Sequence, residues 1–155
     1  THGHTLQVRC ASDGMGAEDF LNDVHDIESH ESLNADYELD DAVARIPVRK
    51  VMHTNGILEH AERILGALGI AHHFEAIYDI RFNNYIPKPC KETLAMLIRA
   101  EGCEPERTLV VDDMADNLKV AKQLGCKTVW ITHETDGHWD FHIPKFHHLP
   151  DSLGL

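Results

Sequence analysis

Three short runs hold the side chains best suited to chemistry: Thr54-Asn55-Gly56, Lys88 between Pro87 and Pro89, and Asp112-Asp113. Adjacent carboxylates after an apolar run suit a hard cation such as Mg²⁺, which takes few protein carboxylates and keeps several waters. A threonine hydroxyl beside N–H groups at a helix start makes a pocket for an anion. Prolines on both sides of a lysine stiffen its loop, so the ammonium is presented at little cost in chain entropy. Each run also has a plainer role. Asp112-Asp113 can cap a helix and face solvent, Thr54 can be an N-cap before a turn glycine, and Lys88 can be a surface lysine. Taken together, a hydroxyl, a lysine and an acid pair describe a phosphate-and-magnesium site.

The elements that must position them follow from periodicity. Arg49 to Thr54 reads as a short buried strand closed by Asn55-Gly56. Helix spacing follows over Leu58 to Leu68, with Gly69 as the stop. Glu75 to Ile80 is a second strand candidate, and Lys91 to Glu101 a helix ending at Gly102. Thr108 to Val111 is the clearest strand and runs into the acid pair. A helix over Ala115 to Leu124 ends at Gly125, and Lys127 to Thr132 is expected to be the last strand. Strands alternating with helices of about ten residues imply right-handed crossovers and a parallel sheet. In such sheets ligands sit beyond the carboxyl ends of the strands, where Thr54 and Asp112-Asp113 fall.

The amino-terminal third is less regular. Thr5 to Cys10 alternates like a short strand but also fits a helix remnant. Ala17 to His25 carries Phe20, Leu21 and Val24 at helical spacing, and Asp36 caps a helix running to Arg45, with Leu39, Ala42, Val43 and Ile46 on one face.

Composition narrows the function. The 155 residues carry a formal charge of −12, which disfavours nucleic acid polymers and anionic lipid as partners. No apolar run is long enough to cross a membrane, and no signal-peptide pattern opens the sequence. The four cysteines, Cys10, Cys90, Cys103 and Cys126, form no C-x-x-C pair, so reduced thiols in a cytoplasmic protein are expected. Thirteen histidines are many, but their pairs show no tight ligand spacing. His53 is expected to pack in its strand and His60 to lie on a helix surface. His133, His138 and His142, with Glu134, Asp136 and Asp140, read as a solvated tail.

Val51-Met52-His53-Thr54-Asn55-Gly56, Ile86-Pro87-Lys88-Pro89 and Val110-Val111-Asp112-Asp113, with Asn117 four residues on, resemble the second to fourth motifs of the haloacid dehalogenase (HAD) superfamily. His25-Asp26-Ile27, His60-Ala61-Glu62-Arg63, Tyr78-Asp79-Ile80 and Asp116-Asn117-Leu118 are similar to its pyrimidine 5′-nucleotidase-like branch. The resemblance implies an α/β, Rossmann-like parallel sheet with helices on both faces and a small helical cap. It divides the chain into a cap remnant over residues 1–46 and a core over 47–155.

The implied activity is metal-dependent hydrolysis of a phosphate ester, with a nucleotide as the candidate substrate, Mg²⁺ as the first choice of metal and Mn²⁺ or another transition metal as an alternative. Thr54, Asn55, Gly56 and Lys88 would bind the substrate's phosphate. Lys88 would also balance charge in catalysis, and Asp112 and Asp113 would hold the metal. The family's first motif, a strand ending in Asp-x-Asp, has no counterpart here, so the resemblance leaves the central strand missing and the usual nucleophile absent. Hydrolysis would then need a non-standard mechanism. The alternative is an inactive, self-associating module that at most binds phosphate or metal. The gap at the sheet's centre is expected to be filled by Thr5 to Cys10, by polypeptide outside this sequence, or, the favoured choice, by a second copy in a homodimer or larger assembly.

Overall fold

The computed structural model describes residues 34–134 and 138–155, and the backbone of residues 4–9. The expected helix over Ala17 to His25 lies outside these residues.

Six strands form one sheet in the order β3-β2-β1-β4-β5-β6. They are β1 (His4–Arg9), β2 (Arg49–Thr54), β3 (Ala76–Tyr78), β4 (Leu109–Asp112), β5 (Lys127–Ile131) and β6 (Phe141–Ile143). The helices are α1 (Tyr37–Ala44), α2 (Leu58–Leu68), α3 (Lys91–Ala100), α4 (Ala115–Leu124) and a short α5 (Leu149–Ser152). The β2–β3, β4–β5 and β5–β6 pairs are parallel, as the alternating pattern requires.

The centre of the sheet is filled from within the chain. β1 runs antiparallel to both neighbours, with His4 opposite Thr54 and Leu6 opposite both Met52 and Val111. The fold is therefore the expected Rossmann-like α/β arrangement, with a mixed sheet and an occupied centre in place of a missing strand. This removes the reason given above for a partner copy to fill it.

Apolar residues on β4 alternate between the two faces. Leu109 and Val111 join a core with Leu39 and Val43 of α1 and Ile64 and Leu65 of α2, whereas Val110 packs with α3 and α4 through Leu94, Ile98, Leu118 and Ala121. Helices thus cover both faces, and each strand end opens between them.

Local signals set the helix ends. The Asp36 carboxylate accepts from Leu39 N–H at 2.9 Å, capping α1. α2 and α4 stop at Gly69 and Gly125, whose φ values of 79° and 96° suit a residue without a Cβ.

The sequence expectations miss the carboxy-terminal elements. Lys127–Ile131 is followed by β6, and Asp140 binds the edge of β5 by accepting from Thr128 N–H at 2.8 Å. Within the supposed tail, His133, His138 and His142 are exposed, as expected. Trp130 is only half-buried and meets Trp139 edge-on at 6.1 Å between centroids.

A second unforeseen feature ties the start of β2 to the end of α3. The buried Glu101 carboxylate accepts from Arg49 Nε at 2.6 Å and Nη2 at 3.3 Å, and from the Tyr78 hydroxyl. The Glu101 hydrogen bond raises the Arg49 pKa further, against the cost of desolvation. Losing one partner of a buried pair costs about 3–5 kcal/mol; Arg49, 35% exposed, can be partly rehydrated. Glu101→Gln is expected to lower the unfolding free energy by about 1–3 kcal/mol, read as a lower urea midpoint at unchanged m-value.

Candidate functional site

The rim starts from two buried strand ends. β2 delivers Thr54 and β4 delivers Asp112, both fully buried. Because β1 is antiparallel, its first residue, His4, is the one that pairs with Thr54.

Beyond β2 the chain turns sharply. Gly56 N–H donates to Thr54 Oγ1 at 2.9 Å, and Leu58 N–H, at the start of α2, donates to Asp79 Oδ2 at 3.0 Å. Two amides of the expected anion pocket are therefore satisfied inside the protein. Asp79 also accepts from Arg81 and Phe82 N–H at 3.1 and 3.2 Å, so one carboxylate fixes both the α2 start and the following loop.

Asn55 positions the lysine loop. Its Oδ1 accepts from Lys88 N–H at 2.8 Å, and its Nδ2 donates to the Lys88 carbonyl at 3.3 Å. This two-way bond between side chain and backbone draws the Pro87–Pro89 segment against the end of β2. The Lys88 ammonium then points inward, donating to the His53 carbonyl at 3.1 Å and lying 3.8 Å from Asp112 Oδ2. Its side chain is 5% exposed, so Lys88 is not the surface lysine of the plainer reading.

Asp112 is held rigidly. Oδ1 accepts from Met114 N–H at 2.8 Å and Oδ2 from Asn117 Nδ2 at 3.0 Å. The Asp113 carbonyl accepts from Trp130 Nε1 at 3.0 Å, which fixes the backbone after β4. Asn117, on the first turn of α4, keeps a buried Oδ1 with no hydrogen-bond partner. The acceptors around the β4 end are thus oxygens: two carboxylates and an amide carbonyl. That set of oxygen donors fits a hard divalent cation.

His53 is a packed strand residue. It is buried, and its Nε2 meets Asn83 Oδ1 at 2.9 Å. Burial first, then the nearby Lys88 charge, push its pKa down to about 3, while the Asn83 contact opposes this. The ring is therefore neutral near pH 7 and adds no cation to the rim. His60 sits on α2 with Nδ1 3.0 Å from Arg63 Nη2.

A cavity of about 10 Å³ lies beside the lysine, lined by His53, Lys88, Leu94, Val110 and Asn117 among others. It has room for about one water and is far too small for a phosphate ester. A substrate would have to bind over the rim.

The structure brings Thr54, Asn55, Gly56, Lys88 and Asp112-Asp113 to one end of the sheet, as their spacing implied. Sequence reasoning missed the supports. Asn83 and Glu101 gave no signal, and Asp79 stood out only within a resembling run.

The comparisons agree with this architecture. A family model described as haloacid dehalogenase-like hydrolase matches residues 38–125. Among solved structures, the chain is similar to a β-phosphoglucomutase assignment from Thermotoga maritima, at TM-score 0.68 and 18% identity, covering 88% of this chain and 69% of that one. L-2-haloacid dehalogenase from Xanthobacter autotrophicus matches at 0.65 and 16%, covering 74% and 59%. The HAD-hydrolase YfnB from Bacillus subtilis, solved with magnesium bound, matches at 0.64 and 19%, covering 74% and 54%. The chain thus spans between half and three-fifths of the dehalogenase and of YfnB. At these identities the likeness concerns the fold.

Proposed function

The chain belongs to the haloacid dehalogenase-like hydrolase family, and from that premise we propose that it hydrolyses a phosphate ester with the help of a divalent cation, Mg²⁺ first. The observation that carries this reading is the inward Lys88 ammonium, 3.8 Å from the buried Asp112 carboxylate. A buried cation beside a strand-end acid pair is an arrangement for neutralising a multiply charged anion. Thr54 and Asn55 would orient the phosphoryl oxygens, Gly56 would leave space for close approach, and Lys88 would balance their charge. Asp112 and Asp113 would hold the metal, which when bound would withdraw charge from the phosphoryl group. The pyrimidine-nucleotidase-like runs favour a nucleoside monophosphate as substrate.

A second reading has its own support. No Asp-x-Asp occurs in the 155 residues, and the antiparallel β1 occupies the sheet's centre. Both favour a module that binds phosphate or metal without turnover. One experiment separates the two: the purified chain is assayed on p-nitrophenyl phosphate with Mg²⁺, with Mn²⁺ and after EDTA. Metal-dependent release of nitrophenol, lost in EDTA and restored by Mg²⁺, is expected. Inorganic phosphate binding without turnover would favour the second reading.

A further inference from the structure

At the opposite end of the sheet, two imidazoles and a carboxylate converge. Asp40 lies on α1, and His72 and His73 lie in the 3-10 turn Ala71–His73 between α2 and β3. Since β2 and β3 are parallel, that turn sits at the amino ends of the strands, away from Thr54. His73 Nε2 is 2.5 Å from Asp40 Oδ1, and His72 Nε2 is 3.4 Å from the same oxygen. The two rings lie 3.9 Å apart, tilted by 41°. One ligand atom from each residue falls within 4.8 Å of the others.

We propose that Asp40, His72 and His73 form a transition-metal site for an ion of the Zn²⁺ class, distinct from the oxygen-lined rim. Two imidazole nitrogens and one carboxylate oxygen are borderline ligands that favour Zn²⁺, Co²⁺ or Ni²⁺ over Mg²⁺. Ligands bound tetrahedrally at about 2.0–2.1 Å stand roughly 3.3 Å apart. The His72–Asp40 separation already has this value. The His73–Asp40 contact is a hydrogen bond that the ion would replace, opening it by less than 1 Å through side-chain rotation. Three protein ligands leave a fourth position for water or an external ligand.

The consequence is mechanical as well as chemical. α1 places Leu39 and Val43 in the core, and its polar side is held to the rest of the chain by Asp40–His73 and by Asp36–His147 at 3.0 Å. An ion at Asp40 would turn one of these hydrogen bonds into a coordination clamp between α1 and the turn before β3.

The test is titration of the full chain with ZnCl₂ by calorimetry and with CoCl₂ by visible absorption. One site per chain and intense d–d bands of four-coordinate Co²⁺ are expected. His72→Ala is the primary variant, because His72 is 65% exposed and its loss leaves the core intact. It should weaken Zn²⁺ binding at least tenfold, as should Asp40→Asn. His142→Ala, at the exposed position of β6, should leave it within twofold. Unchanged Zn²⁺ affinity in both His72→Ala and Asp40→Asn overturns the proposal. Phosphatase activity with Mg²⁺ should survive His72→Ala if present at all, so failure here and failure of the proposed function are separate results.

Discussion

Lys88→Met is expected to lower kcat for Mg²⁺-dependent phosphate-ester hydrolysis by about 10²–10³-fold, the usual cost of removing one preorganised charge from a developing anion. Methionine keeps the length and apolar character of the stem, so the packing next to Leu94 and Val110 is retained while the charge is lost. The effect should fall on kcat more than on KM, because the proposed task of the ammonium is to balance charge that develops on the phosphoryl oxygens during the reaction. Lys88→Arg tests the geometry: a planar guanidinium cannot reproduce a point charge placed between the His53 carbonyl and Asp112. A Lys88→Met enzyme with wild-type kcat would remove the lysine from the reaction.

The second expected result is acid sensitivity centred on His53. In the unfolded chain a histidine takes up a proton near pH 6.5, whereas in the folded protein this one does so only near pH 3. Below pH 6.5 the unfolded state therefore binds more protons, and stability falls as the pH drops through that window. Well below pH 6.5 each pH unit costs about 1.4 kcal/mol, so His53 alone removes about 2 kcal/mol between pH 6.5 and 4.5. The slope fades through pH 6.5 and is gone about one unit above it. His53→Gln, which keeps a donor for Asn83 and cannot charge, should unfold with a shallower pH dependence in urea titrations at pH 7.0, 5.5 and 4.5. Parallel pH curves for variant and wild type would contradict the assignment.

The supports of the site illustrate what a sequence conceals. The strands Arg49–Thr54 and Leu109–Asp112 and the helices between them were legible because apolar periodicity and glycine stops act locally. The rim residues were legible because strand ends and their following turns are local too. His53–Asn83, Arg49–Glu101 and Asn55–Lys88 join positions some 30 to 50 residues apart, and no spacing rule marks them. The Asp40–His72–His73 cluster was hidden in the same way: a histidine pair carries no ligand signature until a helix from elsewhere brings the carboxylate. β6 was missed because its three residues follow a polar, histidine-rich stretch that reads as a solvated tail.

The reversed central strand also bears on the order of assembly. Within the sheet, β2–β3 and β4–β5–β6 meet only across β1, whose partners lie about fifty residues away on one side and a hundred on the other. Each half-sheet arises from neighbouring segments, but β1 closes two long loops at once and adds the most distant strand pairings among the described residues. It acts as a keystone: the halves can form early, and their union waits on its insertion.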